Sequence, residues 1–422
     1  MTKRALDRQD YRTLALAALG GALEFYDFVI YVFLAPVIGR LFFPADMPDW
    51  LRLLQTFGIF SAGYLARPLG GIVIAHFGDR LGRKRMFTLS VFLMAVPTLA
   101  IGLLPTYASI GIAAPMLLLA MRILQGIAIG GEVPGAWVFI SEHVPAQRVG
   151  FAIGTLTAGL TVGILLGSMM AGTINRAYSP ADVDAFAWRI PFIAGGAFGF
   201  IAVYLRRFLQ ETPVFREMAA RQALAREVPL KTVLREHRRE TIVALALTWV
   251  LTGGIVVVIL FTPTYLQQVF HVPAAVALRA NTGATIGLIV GCLFFGLISD
   301  EVGVRASMVV GFGGLLGSSY LFYSWLPDAP VFLNLTYLLL GFFVGAVTTV
   351  PIVAVRSFPA TVRFSGLSFS YNVSYAIFGG LTPVVLTWWI HTNPMAPGYY
   401  VGGLAILGIA LAFAPTSETL SP

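Results

Sequence analysis

The chain has 422 residues, of which 57% are hydrophobic and only 11% charged, with a mean hydropathy of +0.82. A soluble domain carries about 25% charged residues, so that class is excluded and an integral membrane protein is expected. The net charge of +8 would suit a polyanionic partner only if the basic residues shared one face, and the course of the chain shows that they do not.

Apolar stretches of about 20 residues, enough to cross roughly 30 Å of hydrocarbon as a helix, occur twelve times. They cover 13–38, 51–76, 87–104, 111–140, 149–174, 188–208, 241–268, 274–298, 306–325, 330–355, 364–390 and 398–415. Barrel strands would be about 10 residues long with alternating polarity, so the expected fold is an all-α integral membrane protein of 12 transmembrane helices. The first span is too long for a signal-peptide core and no small-residue cleavage motif follows it, so no signal peptide is expected. With the N-terminus placed inside, 21 of the 28 Lys and Arg fall on the cytoplasmic side, five (Arg40, Arg52, Arg176, Arg189, Arg279) outside, and two within spans. That positive-inside pattern puts both termini of the multi-pass chain in the cytoplasm and argues against nucleic acid; the membrane expected is a cell inner membrane.

Span 1 contains LEFYDF, in which Glu24 and Asp27 lie three apart and so share a helix face; Tyr26 and Tyr31 lie near them. At 1.5 Å per residue, Glu24 and Asp27 lie about 17 and 21 Å into span 1, Arg67 about 24 Å into span 2 and Arg122 about 17 Å into span 4. Leaving an ionisable group at such depth costs roughly 2.5–3.5 kcal/mol on insertion scales, which makes each a functional candidate. Two acids level with two arginines are expected to form a nearly neutral cluster. Glu24 or Asp27 would be the proton site, with Arg122 its coupling partner, the competing role being a static salt-bridge network that pins helices 1, 2 and 4 together. Arg67 is the candidate for a substrate carboxylate, with a structural clasp as the competing role. Gln125 shares the Arg122 face, and Glu132 lies deeper along span 4, about 32 Å in.

A short loop, GDRLGRKRM, follows span 2 and carries Asp79 and Arg83; SEHVPAQRVG, with Glu142 and Arg148, follows span 4. On span 5 the glycines from Gly154 through Gly163 and Gly167 to Gly172 read as close packing where two halves meet. The polar segment from Arg206 to Glu240 holds nine basic residues and divides six spans from six. The expected units are therefore an N-terminal half over 1–208, a cytoplasmic linker over 209–240 and a C-terminal half over 241–422. Spans 7, 8 and 11 add Trp249, Thr252, Tyr265, Asn281, Tyr371, Asn372 and Tyr375, which could line the second half of a cavity or simply pack. Both loops recur in the second half: SDEVGVRASM echoes the first at an offset of 221 (Asp79 to Asp300), and FPATVRFSG, with Arg363, echoes the second at 214 (Pro145 to Pro359). Two matched pairs indicate one duplication and a carrier whose halves rock about a central site. The second loop lacks the basic pair, so contacts around Asp300 are expected to be weaker than those around Asp79.

GDRLGRKRM and RILQG (Arg122 to Gly126) resemble motifs of the major facilitator superfamily. LEFYDF, LARPLGG, ILQGIAIGGE, SEHVP, WRIPF, LQETPVF and AIFGGLTP are similar, in order, to motifs of its metabolite:H+ symporter family. The resemblance spans almost the whole chain. It implies two pseudo-symmetric six-helix halves and alternating access, with Asp79, Arg83, Glu132, Glu142, Arg148, Asp300 and Arg363 as gating residues. It also implies symport with protons of a small metabolite, such as citrate, 2-oxoglutarate, shikimate, proline or glycine betaine.

The substrate contacts expected are Tyr26, Tyr31, Arg67, Arg122, Gln125, Trp249, Tyr265, Tyr371 and Asn372. Two arginines favour a small organic acid, with a zwitterion such as betaine or proline as the alternative. The short segment after Phe413 separates the chain from osmoregulatory members with long coiled-coil tails. Proton antiport uses nearly the same chemistry, and a membrane sensor would need a sizeable soluble domain. No enzyme activity and no cofactor beyond the proton gradient is expected: no Cys/His cluster has metal-ligand spacing, and there is no phosphate-binding Gly-x-x-x-x-Gly-Lys run. The partners expected are the substrate, H+ and the lipid bilayer, with the chain a monomer.

Overall fold

The computed structural model describes residues 8–81, 83–130, 132–206, 229–325, 332–359 and 362–414. The side chains of Glu24, Asp79, Arg83, Glu132 and Glu142 lie outside the described residues, as does most of the expected linker. Apolar sequence in lipid must satisfy its own backbone groups, which leaves helices or closed barrels, and no strand occurs among the described residues.

Twelve helical passes follow one another: α1 (Arg8–Phe33), α2 (Asp49–Leu81), α3 (Arg83–Leu103), α4 (Ala113–Ile129 with Glu132–His143), α5 (Val149–Ala177), α6 (Arg189–Arg206), α7 (Arg238–Ile255, continuing to Val269), α8 (Ala274–Glu301), α9 (Val304–Trp325), α10 (Leu333–Val344, continuing to Ser357), α11 (Arg363–Ser374, continuing to Trp389) and α12 (Ala396–Ala412). Among the described residues six helices are long and apolar enough to cross a membrane alone, or up to eight if each bent pair counts as one span. The pair at α1 bends by 60° into Ala35–Phe42, where Pro36 lacks an N–H, and the pair at α6 bends by 43°. The remaining passes are α2, α3, α11 and α12, of which α12 and the Phe92–Leu103 stretch of α3 are shorter apolar helices. An even number of passes returns the chain to one end of the bundle, here the terminal end; the other is the far end.

The duplication is written into the helix crossings. Gly126 of α4 lies on the Gly63 carbonyl of α2, and Gly70 of α2 lies on the Ile127 carbonyl of α4. In the second half Gly341 of α10 lies on the Ala284 carbonyl of α8, and Gly291 on the Phe342 carbonyl. Gly63 and Ala284, like Gly70 and Gly291, are 221 apart, while Gly126 and Gly341, like Ile127 and Phe342, are 215 apart. Small residues let helix backbones touch where the hydrophobic effect gives no drive to associate. Gly126→Leu is therefore expected to abolish recovery of folded protein in detergent, whereas Gly58→Ala, with open space around it, should melt as wild type in a thermal unfolding assay.

The halves meet along α5 with α8 and along α2 with α11. Gly150 and Gly154 lie against Gly296 and Cys292, as the glycine pattern on span 5 suggested. Gly163 and Gly167, however, face Ala22, Val29 and Phe33 of α1, within the first half. The stripe is split because residues nine and thirteen positions along point to another neighbour at 3.6 residues per turn.

Candidate functional site

At mid-depth on α2, Pro68 lacks the N–H that would bond the Tyr64 carbonyl, and Tyr64 and Arg67, three apart, share a face. The Arg67 guanidinium is 2% exposed, and its Nε and Nη2 have no hydrogen-bond partner among the described residues. Its Cζ lies 5.4 Å from the Tyr64 ring, 5.3 Å from Tyr371 and 4.6 Å from Tyr375. Tyr371 and Tyr375 are four apart on α11, so the cage draws one ring from the first half and two from the second. Trp137 of α4 meets the Tyr371 ring edge-on at 5.2 Å. Arg67, Tyr64 and Tyr375, with Phe28, Ile255 and Val256, line a cavity of about 10 Å³ between the halves. That is about one water-sized probe, so a substrate enters only if the halves part. Tyr375 opens a wide π-type turn on α11 and Val256 opens another on α7, irregularities that recur at functional sites.

Arg122 lies elsewhere. It is fully buried, stacked on Phe28 (4.3 Å), Tyr31 (4.5 Å) and Phe60 (5.3 Å), and donates to Gln125 Oε1 at 2.8 Å. Gln125 Nε2 in turn donates to Thr98 Oγ1 of α3 at 2.7 Å. Asp27 does not pair with it: Phe28 and Tyr31 face Arg122, and one residue is a 100° rotation on a helix, which carries Asp27 toward α6. There the carboxylate is 1% exposed with no hydrogen-bond partner among the described residues. It sits over Gly195 and Gly199, where an added Cβ would lie 2.7 Å from Oδ1 and 3.2 Å from Oδ2. A Cβ on Gly195 would also meet Thr98 at 3.0 Å, so the Arg122–Gln125–Thr98 chain ends at the wall of the Asp27 pocket. Of the expected four-charge cluster, Asp27, Arg67 and Arg122 thus stand in separate surroundings, while the Glu24 side chain lies outside the described residues.

Several expected substrate contacts are bonded away from the cavity. Tyr26 turns with Asp27 toward α6 and donates to the Pro191 carbonyl (2.9 Å), and Tyr31 donates to the Thr56 carbonyl (2.9 Å). Trp249 stacks on Phe378 at 4.1 Å and donates to the Tyr400 hydroxyl. Tyr265 donates to the Pro394 carbonyl near the far end, and Asn372 donates to the Gly130 carbonyl, tying α11 to α4. Depth counting could not resolve these azimuths. Tyr64 and Phe28 escaped the sequence reading, although the spacing of Tyr64 from Arg67 carried the signal.

Among the described residues the halves touch toward both ends of the interface. At the far end the Phe57 and Phe261 rings meet at 5.7 Å and Trp50 meets His391 at 5.4 Å; deeper, the Ser61 hydroxyl donates to the Gly380 carbonyl. A larger cavity of about 150 Å³ at this end includes Arg40, which pairs with Asp184 at 2.8 Å, and none of the buried charges. At the terminal end Asp300 accepts from the Gly150 and Phe151 N–H groups at 2.7 and 2.8 Å, and Arg356 donates to the Ala146 carbonyl at 3.5 Å. Arg148 is exposed in the same neighbourhood, while Arg363 donates to the Phe358 carbonyl. Asp300 needs no basic pair for these bonds, because the first N–H groups of a helix are available donors.

Each charge-assisted bond is worth about 1.5–3 kcal/mol, so Asp300→Ala is expected to favour opening at this end by at least about tenfold. The lone cysteine, Cys292, is buried against Gly154 at the same interface. Its maleimide labelling rate should rise accordingly, and an unchanged rate would remove Asp300 from the latch.

A polar cage between two helical halves that touch toward both ends, lined by a buried arginine, defines a membrane carrier. The family model described as Major Facilitator Superfamily matches residues 17–383, and the chain belongs to that family: it is a multi-pass membrane transporter and not an enzyme. It is 30% identical over 414 residues to the proline/betaine transporter of Salmonella typhimurium, covering 94% of this chain and 82% of that one. It is 31% identical over 426 residues to the glycine betaine/proline/ectoine/pipecolic acid transporter OusA of Dickeya dadantii, covering 94% and 81%. The crystal structure of the D-xylose-proton symporter superposes with a TM-score of 0.74 at 16% identity, covering 97% of this chain and 98% of the other, which is a likeness of fold.

Proposed function

We propose that this chain is a proton-coupled symporter for a small zwitterionic carboxylate of the proline or betaine kind, working by alternating access. The observation that carries the reading is Arg67, buried in the cavity with two guanidinium nitrogens unpartnered among the described residues. Such a group can clasp one carboxylate bidentately. The organic-acid reading rested on two converging arginines, and Arg122 is not among the cavity residues. The relatives named for proline and betaine favour the same choice, despite the short segment after Phe413.

In this reading Asp27 takes the proton, since an isolated carboxylate is costly to bury and a neutral carboxyl fits the glycine-floored pocket. Substrate binds Arg67, and the halves, 1–208 and 241–422, rock while joined by 209–240. The terminal end faces the cytoplasm, where the basic residues concentrate, the membrane is a cell inner membrane, and the gradient is the energy source without a cofactor. Asp79, Arg83, Glu132, Glu142, Arg148 and Arg363 join Asp300 in gating. Thermal unfolding of the purified protein tests the substrate class, because a ligand at 100 times its Kd stabilises by about 2.7 kcal/mol. Proline or glycine betaine should raise the melting temperature while citrate and 2-oxoglutarate leave it unchanged; the reverse pattern would restore the organic acid.

A further inference from the structure

Arg67 carries a second meaning, which rests on the zwitterion reading. A guanidinium ringed by three tyrosines occupies the kind of site that recognises quaternary ammonium groups through ring faces. The cage is buried, with Tyr64, Tyr371 and Tyr375 at 3%, 1% and 4% exposure. It is assembled only when the halves close, because Tyr64 belongs to α2 and the other two to α11. In the closed molecule the rings lie against one another, Tyr371 to Tyr375 at 4.4 Å and Tyr64 stacked on Tyr375 at 5.7 Å. The cation held there is the protein's own.

We propose that Tyr64, Tyr371 and Tyr375 form the subsite for the substrate's methylated ammonium group, and that Arg67 occupies it as an internal stand-in when the carrier closes without cargo. An entering betaine displaces the guanidinium from the rings, and the freed Nε and Nη2 take its carboxylate. The same cage then closes around the substrate cation on the loaded path and around Arg67 on the empty one. This gives the unloaded carrier a closed state in which the buried guanidinium rests against ring faces.

The test is a binding series of glycine, sarcosine, dimethylglycine and glycine betaine on purified protein. Wild type is expected to bind more tightly with each added methyl. A desolvated ring contact corresponds to roughly 30-fold in affinity, so Tyr375→Leu should weaken betaine by about that factor, barely change glycine and flatten the series, while Tyr375→Phe keeps it. Tyr64→Leu serves the same purpose should Tyr375→Leu fail to fold. The stand-in is read with tetramethylammonium, which has no carboxylate. It should stabilise Arg67→Ala against heat more than it stabilises wild type, and the gain should vanish in Arg67→Ala/Tyr375→Leu. If wild type binds betaine but the tyrosine variants retain the full methyl dependence, the cage assignment fails alone. If wild type binds no member of the series and no proline, the zwitterion reading falls and the cage with it.

Discussion

Asp27→Asn is expected to abolish pH-gradient-driven accumulation while leaving exchange of substrate between equal pools intact. The substitution keeps the shape of a side chain packed over Gly195 and Gly199, removes its ability to carry a charge or a transferable proton, and puts an NH2 group in place of one oxygen. The group has no hydrogen-bond partner among the described residues, and an unpaired ion in such a place costs several kcal/mol, so the wild-type pocket holds the neutral acid and the neutral asparagine variant should fold and melt near the wild-type temperature. Exchange needs the halves to rock with substrate aboard but no net proton movement, which is why it survives. Counterflow and gradient-driven uptake, measured on the same proteoliposomes, separate the two. Normal accumulation by Asp27→Asn would remove this residue from coupling and pass the role to Glu24, to be tested with Glu24→Gln.

Arg67→Ala is expected to raise the substrate Kd roughly 30- to 150-fold, the equivalent of about 2–3 kcal/mol for losing hydrogen bonds to a charged group. Arg67→Lys should recover only part of this, since an ammonium cannot present two parallel N–H groups to a carboxylate. The competing role as a clasp between α2 and α11 makes a different forecast. Binding would be kept and the melting temperature would fall, because only the ring contacts to Tyr371 and Tyr375 would be lost. Isothermal titration alongside thermal unfolding of the same preparation decides between them.

Span positions, the duplication and the depth of the buried charges follow from the sequence, because each depends on distance along the helix axis. The offset of 221 between Asp79 and Asp300 is the offset between the paired glycines Gly70 and Gly291, so a loop motif announced a packing repeat. What the sequence does not carry is rotation about each axis and the choice among neighbours in an apolar bundle. Asp27 and Phe28 are adjacent in the chain and differ by one residue's turn, yet one meets the glycines of α6 and the other a buried arginine. Trp249 and Tyr265 lie outside the lining of the cavity at Arg67, and their residue type could not place them, because aromatic side chains on a membrane helix serve cavity, interface and packing alike. The glycine floor beneath Asp27 was recoverable only by pairing α1 with α6, which local pattern cannot do.

Uptake of labelled glycine betaine into proteoliposomes, with the outside made acid and the membrane potential clamped, tests the central claim most directly. Coupled symport predicts accumulation above the external concentration, abolished by a protonophore and absent in Asp27→Asn. Equilibration without accumulation, or accumulation only when the inside is acid, would contradict it.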